Sequence, residues 1–357
     1  MPPLPPGSTI GVLGGGQLGR MLALAAARLG FDVAILEPEA GAPATRVATH
    51  VIQAAYDDPR GLEALAAHAQ VVTFEFENVP AQAVVHLRSL GVPVAPSERA
   101  LAVAQDRVEE KTFLNACGVA TVGFVAVDNA DQALAAMLTL GAPALMKTRR
   151  DGYDGKGQRW VEHAAQAGDV FAALGGKPVI IEAPAAFTRE LSIIAARGRD
   201  GEIAVYPLAE NHHENGILRR TFAPAKATPE LTAQAERIAH QILSALDYVG
   251  VIGIELFEMP AGRLLVNEIA PRVHNTGHWT QDGCAVDQFE QHIRAIAGWP
   301  LGPTTAHAHV EMTNLLGEEA AGWAKFSAEP DSRLHIYGKR EAKPGRKMGH
   351  VNRVRPA

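Results

Sequence analysis

Cysteine is nearly absent from this chain. Cys117 and Cys284 are the only two, and no C-x-x-C or Cys/His cluster accompanies them. Nothing supports a structural zinc site or a disulfide framework, and a reducing, cytoplasmic setting fits. Long apolar runs are missing as well, since none approaches the ~20 residues of a membrane-spanning helix. The N-terminal "MPPLPPGST" is proline-rich but has neither the basic nor the long apolar region of a signal peptide. Positive charge is not in excess: 33 Lys and Arg stand against 39 Asp and Glu, a formal net charge of −6. That balance argues against a surface that coats nucleic acid, so any anion site must come from local placement of cations. Internal repeats and low-complexity tracts are absent too. The expected partners are therefore small molecules, not nucleic acid or membrane.

What is present is ordinary globular material, 47% hydrophobic and 20% charged over 357 residues, a length that suggests two or three domains. Residues 8–96 alternate strand-like runs ("TIGVL", "DVAIL", "VVTFEFE", "VPVAP") with helix-like ones ("QLGRMLALAAARLG", "GLEALAAHA", "PAQAVVHLRSLG"). A βα series of this kind predicts a doubly wound parallel sheet with its working edge at the strands' carboxyl ends. The first such end carries Gly14, Gly16 and Gly19 in a G-x-G-x-x-G pattern, and Glu37 closes the next apolar run. This is a dinucleotide-binding fingerprint, and it raises a nicotinamide oxidoreductase as one reading. Two short helices are expected in "SERALAVAQDRVEEKTFLNACG". After them come hairpin-like strands, a long helix from about Pro229 to Leu246 and another near Val286–Ala297. The last sixty residues read as a small β-rich appendix.

Several stretches carry chemistry. Residues 149–158, "RRDGYDGKGQ", form a loop between two strands, either a plain solvent turn or a cradle of free amides for phosphate. Lys147, closing the apolar "ALM" just before it, reads as a phosphate contact or as a snorkelling strand end. In "GIELFEMPAGRLLVNEIAPR", an even-numbered turn centred on Ala261–Gly262 would set Glu255 and Glu268 opposite each other on one face. Facing carboxylates in apolar strands repel unless a cation lies between them, and a magnesium ion carrying nucleotide phosphates suits. Pairing with a neighbour such as Arg272 is the plainer alternative, and Glu258 is expected to be solvated. The following "APRVHNTGHWT" must be a loop carrying Arg272, His274, Asn275 and His278, and the Arg, His and Asn within four residues, Arg272, His274 and Asn275, look like an anion and substrate pocket. The pair His212–His213 lacks partners for a zinc role. "YGKREAKPGRKMGH" adds Lys339, Arg346 and Lys347, a solvated face or a seat for a phosphorylated substrate.

Taken in order, "GVLGGGQLGRML", "FEFENVP", "DGYDGKGQ", "NEIAPRVHNTGHWT" and "YGKREAKPGRKMGH" resemble the ATP-grasp superfamily and, within it, the 5-(carboxyamino)imidazole ribonucleotide synthases of purine biosynthesis. The resemblance implies an α/β and α+β fold. Residues 1–105 would be a doubly wound pre-ATP-grasp domain, 106–300 an ATP-grasp domain with a glycine lid at 149–158, and 301–357 a small β-rich C-terminal domain. It implies an ATP- and Mg2+-dependent ligase that carboxylates aminoimidazole ribonucleotide with bicarbonate through carboxyphosphate. It also implies a cytoplasmic homodimer. By position, ATP would meet Arg107, Lys147, the loop Gly152, Tyr153, Asp154, Gly155, Lys156, Gly157 and Gln158, and the segment Glu182, Ala183, Pro184 and Ala185. Glu190 with His213 would take the nucleotide ribose, and Asn267 would lie beside Glu268. Glu255 and Glu268 would bind the metal. The ribonucleotide would touch Gln17, Leu18, Glu75, Tyr153 and Asp154, with its phosphate on Arg272, Lys339 and Arg346. Tyr153, Arg272, His274 and Asn275 would serve the reacting groups. A formate-dependent glycinamide ribonucleotide transformylase, the oxidoreductase above and a nucleotide-sensing scaffold on an inactive frame are the rival readings.

Overall fold

The computed structural model describes residues 2–152 and 155–356, so Tyr153 and Asp154 lie outside the described residues. Strands β1 (Thr9–Leu13), β2 (Asp32–Leu36), β3 (His50–Ile52) and β4 (Val71–Phe74) are parallel in the order β3-β2-β1-β4. Almost every residue of β1, β2 and β4 is buried, as expected of parallel strands covered on both faces. Helices Gln17–Arg28, Pro59–His68 and Ala81–Ser89 supply the crossovers. The expected strand at "VPVAP" is reduced to a single bridge between Val94 and Val72. Pro93 and Pro96 remove the donors that a longer ladder would need.

Asp106 and Ser97 cap two short helices, Glu98–Gln105 and Arg107–Ala116, that carry the chain onward. A small antiparallel sheet follows, ordered β5-β8-β6-β7 from β5 (Phe124–Val127), β6 (Ala144–Thr148), β7 (Gln158–Val161) and β8 (Val179–Glu182). Its own core forms around Val127, Met137, Met146 and Ile181. The larger sheet takes β9 (Arg189–Arg197), β10 (Ile203–Val205), β11 (Ala209–Glu214), β12 (Ile217–Ala223), β13 (Gly250–Met259), β14 (Arg263–Ala270), β15 (Ala308–Leu316), β16 (Ser332–Ile336) and β17 (Lys347–Pro356). The order is β14-β13-β9-β11-β12-β15-β17-β16, with β10 on β9. The β-rich C-terminal segment thus continues this sheet. Pairing of β15 with β12 covers what would otherwise be an open edge.

Helix Pro229–Ala245 buries Leu231, Ala235, Ile238, Ala239 and Ile242, a stripe at helical spacing, against one face of the larger sheet. Helix Gln288–Ala297 fastens the parallel sheet to the larger one. Its Phe289 and Ile293 belong to one core with Leu22 and Ile35 of the parallel-sheet unit and with Trp279 and Met312. Among the described residues no helix is long and apolar enough to cross a membrane.

Candidate active site

The hairpin β13–β14 places its carboxylates by a device the sequence reading missed. The connection is the three-residue turn Pro260–Gly262, in which Ala261 (φ 68°) and Gly262 (φ 75°) are both left-handed. From the turn the register runs Met259–Arg263, Glu258–Leu264, Phe257–Leu265 and Leu256–Val266. A bulge then makes Asn267 the extra residue, and Glu255 pairs with Glu268. The even-numbered turn expected from sequence is thus corrected to an odd turn plus one bulge. Without the bulge Asn267 would face Glu255, and Glu268 would point to the other side of the sheet. Glu258 is also corrected: it is ion-paired at 2.5 Å with Arg189, which bonds Glu210 at 2.8 Å as well.

The two facing carboxylates differ in charge state. Enclosure in the cleft and the charge of Glu268 push Glu255 up to about 7. Burial would raise Glu268 too, but the Arg107 guanidinium at 3.0 Å holds it down at about 2. Glu268 nevertheless keeps 38% of its side chain open to the cleft. A divalent cation fits this pair, because it would relieve the repulsion that holds the proton on Glu255. Arg272 does not supply the relief; it is ion-paired with Glu77. Asn267 reaches Glu255 only at 3.5 Å.

Arg107 begins helix Arg107–Ala116 and bonds the carbonyl of Gly152 in the glycine loop at 3.1 Å as well as Glu268. Lys147, at the end of β6, is buried and sits 2.6 Å from Glu182 at the end of β8. Glu182 is shared with Lys111, 3.2 Å away but out of hydrogen-bond alignment, and burial is outweighed by the two ammonium groups, so its carboxyl lies below the ordinary range. Lys111 escaped the sequence reading, although it lies four residues after Arg107 and hence on the same helix face. Ala183 N–H donates to Gly123 O at 2.8 Å, and Pro184 and Ala185 continue the exposed connection to β9. Glu190, on β9, bonds His213 Nδ1. Burial would lower the imidazole, but that bond and the charge of Glu255 raise it. In the glycine loop, Gly155 and Gly157 adopt positive φ, Thr148 N–H bonds Gly157 O at 2.8 Å, and Gln158 opens β7 opposite Lys147. A Cβ on Gly155 would lie 3.2 Å from Asn215 O, so the loop bearing Lys156 rests on the β11–β12 turn.

After β14 the chain turns back under the cleft. His274 Nδ1 accepts from Thr276 N–H at 3.5 Å, which leaves Nε2 facing Glu255 at 3.8 Å. Burial and the charge of Arg272 push His274 down to about 3, so it is a neutral imidazole at pH 7. Asn275 and Asn314 exchange both amide bonds, at 3.0 and 2.7 Å. His278, on the same loop, does not reach the pocket. It is buried behind it, bonded to Gln288 at 3.0 Å and packed 4.8 Å from the His350 ring, which stacks on His335 at 4.4 Å. Lys347 is close enough for its charge to act on Glu255, His213 and His274. Lys339 lies 5.9 Å above the Tyr337 ring, and Arg346 bonds Glu341 O at 3.3 Å.

The N-terminal glycines have protein partners. Gly15 N–H donates to Glu37 at 2.6 Å, Gly19 N–H to Glu75 at 2.6 Å, and Gly16 N–H to the other Glu75 oxygen. Tyr56 hydroxyl also donates to Glu37, at 2.7 Å. The amides that would cradle a dinucleotide pyrophosphate are therefore taken by two carboxylates, which removes the basis of the nicotinamide reading. Glu75 stays above the ordinary range because burial outweighs the two amide bonds. Gln17 opens the adjoining helix, and Leu18 is buried in its first turn. Gly16 has an ordinary φ of −75°, but a Cβ there would lie 2.5 Å from Glu75 Oε1. Gly16→Ala is expected to cost about 1–3 kcal/mol of stability by overpacking, read from denaturant unfolding. An unchanged midpoint would show that Glu75 is free to move.

Matches to known families and structures cover the whole of this arrangement. Residues 8–105 match the ribonucleotide synthetase preATP-grasp domain, 112–289 the ATP-grasp domain, and 311–357 the phosphoribosylaminoimidazole carboxylase C-terminal domain. The chain is 50% identical to the N5-carboxyaminoimidazole ribonucleotide synthase of Brucella melitensis, over 99% of this chain and 98% of the relative. The N5-carboxyaminoimidazole ribonucleotide synthetase of Thermus thermophilus superposes with a TM-score of 0.91 at 43% identity, over 98% of this chain and 94% of that one. The N5-carboxyaminoimidazole synthase of Aspergillus clavatus, in complex with ADP and 5-aminoimidazole ribonucleotide, gives 0.92 at 30% identity, over 99% and 95%. With such identity along its full length, the chain belongs to the N5-carboxyaminoimidazole ribonucleotide synthase family of ATP-grasp enzymes.

Proposed function

We propose that this chain carboxylates 5-aminoimidazole ribonucleotide with bicarbonate at the expense of ATP, giving N5-carboxyaminoimidazole ribonucleotide, ADP and phosphate. The observation that carries this reading is the pair Glu255–Glu268, set face to face by the Asn267 bulge and flanked by Arg107. A bicarbonate oxygen attacks the γ-phosphorus as the bond to ADP breaks. The exocyclic amine then captures the carboxyl carbon, either directly from carboxyphosphate or from carbon dioxide that it releases; inorganic phosphate leaves, and the amine gives up a proton.

In this reading Arg107 and Lys147 meet the ATP phosphates beneath the lid at Gly152 and 155–158. The segment 182–185 borders the adenine, and Glu190 with His213 takes the ribose. Glu255 and Glu268 would hold Mg2+, with Asn267 beside them, and the ion would offset the charge of the transferring phosphoryl group. Gln17, Leu18 and Glu75 face the ribonucleotide, and Arg272, Lys339 and Arg346 its phosphate. His274, being neutral, offers the carboxyphosphate an N–H without a charge, and Asn275 is oriented for it by Asn314. The lid excludes water from an intermediate that hydrolyses readily.

The test is phosphate release from ATP, which is expected to require both ribonucleotide and bicarbonate. Hydrolysis indifferent to the ribonucleotide would overturn the reading, and label from formate in place of bicarbonate would assign the transformylase reaction. Because Glu255 must lose its proton to take a cation, magnesium affinity is expected to fall roughly tenfold per pH unit below about 7. Calorimetric titrations between pH 6 and 8 measure this slope, and a flat profile would remove Glu255 from the metal site. We also propose a cytoplasmic homodimer, for which sedimentation should give twice the chain mass.

A further inference from the structure

Strand β14 is the edge of the nine-stranded sheet, so its outward peptide groups have no neighbouring strand to satisfy them. Around the bulge they are satisfied by the segment that begins at Arg107. Val266 N–H donates to Ala120 O at 2.9 Å, and the carbonyl of the bulge residue Asn267 accepts from Lys111 Nζ at 3.0 Å. Ile269 N–H donates to Glu110 Oε1 at 2.7 Å. The peptide groups on either side of Glu268 are thus gripped by consecutive residues of one helix, whose first residue grips the Glu268 carboxylate itself. Glu110 and Lys111 are only 2% and 1% exposed. Burying two ionisable side chains is a poor route to stability, because apolar residues of similar volume would serve the fold as well or better. Their placement instead fixes geometry. Lys111 also meets Glu182, the carboxylate that holds Lys147, and so ties the bulge to the strand bearing the proposed phosphate lysine.

We propose that Glu110 and Lys111 are positioning residues that lock the Asn267 bulge, and thereby aim the Glu268 carboxylate at a cation held in common with the nucleotide on Lys147. A bulge that relaxed by one residue would turn Glu268 away from Glu255, and these two bonds oppose that slip. The inference rests on the reading of Glu255 and Glu268 as the magnesium carboxylates.

The experiment compares wild type, Glu110→Leu, Glu110→Gln and Lys111→Met by calorimetric binding of ADP, in EDTA and over a series of magnesium concentrations. Circular dichroism checks folding. Glu110→Leu and Lys111→Met are expected to raise the magnesium concentration at half-maximal tightening roughly tenfold. For Glu110→Leu the affinity for ADP in EDTA should stay within about twofold of wild type, since its partner is a backbone amide remote from the nucleotide. Glu110→Gln retains an acceptor for Ile269 N–H and should match wild type. Should Glu110→Leu fail to fold, the Lys111→Met magnesium midpoint decides. A folded variant with an unchanged midpoint would overturn the proposal. So would equal weakening of ADP by Glu110→Leu with and without magnesium, or impairment of Glu110→Gln to the level of Glu110→Leu. Absence of magnesium-dependent tightening in wild type would instead remove the underlying reading of Glu255 and Glu268.

Discussion

Replacing Glu268 with glutamine is expected to lower kcat by roughly three orders of magnitude, about 4 kcal/mol of lost transition-state stabilisation. The secondary structure and unfolding midpoint should stay close to wild type. The substitution keeps the shape of the side chain and one oxygen for Arg107, so little packing changes. What disappears is one of two negative charges opposed across the hairpin register. The charge of Glu268 is also the reason, after burial, that Glu255 is held up near 7. In the variant Glu255 should therefore titrate lower, as a single carboxylate facing an amide. Two carboxylates concentrate a cation where one cannot, so the defect should appear as weakened magnesium dependence together with lost turnover. Steady-state kinetics with phosphate detection measures it. Retention of magnesium-dependent turnover would remove Glu268 from the metal site.

Trp279→Ala is expected to destabilise the protein by about 3–5 kcal/mol, the cost of removing a large side chain from a site that cannot collapse. The indole is fully buried and belongs to the core that joins the helix Gln288–Ala297 to the strand bearing Met312. Its ring lies so close to Gly283 that a Cβ there would be 2.8 Å from it. By contrast Trp323 is 58% exposed, and Trp323→Ala should change stability by less than about 0.5 kcal/mol. Denaturant unfolding of both variants makes the comparison. Equal effects would mean that the loop containing Trp279 unfolds locally and contributes little to global stability.

Trp279 also marks where linear reading stopped. In "VHNTGHWT" six polar or aromatic residues stand together, and their order does not say which way each one faces. A short helical turn, Asn275–Gly277, separates its members. His274 faces the cleft beside Glu255, whereas His278 and Trp279 face the opposite way, into the core. No periodicity of 2 or 3.6 runs through so short a turn, so the direction of each side chain is set by what packs behind it. His278 is fixed there by Gln288, His350 and Tyr337, residues 10 to about 70 positions away.

The amino-acid order alone determined the parallel βα unit, the two short helices after it, the long helix at Pro229 and the carboxylate-bearing hairpin. Each is written in local apolar periodicity, caps and turn residues, which act within a few positions of themselves. Tertiary structure alone decided how the hairpin's register closes. Asn267 bulges because β14 is an edge strand whose outer groups find Glu110, Lys111 and Ala120. It also decided the meaning of the opening glycines, whose amides could have cradled a pyrophosphate but meet Glu37 and Glu75. And it decided that the last strands extend the central sheet, because β12 needed a partner and β15 supplied one. In all three cases the determining force is the satisfaction of buried or edge backbone groups by residues distant in the chain, which local patterning does not encode.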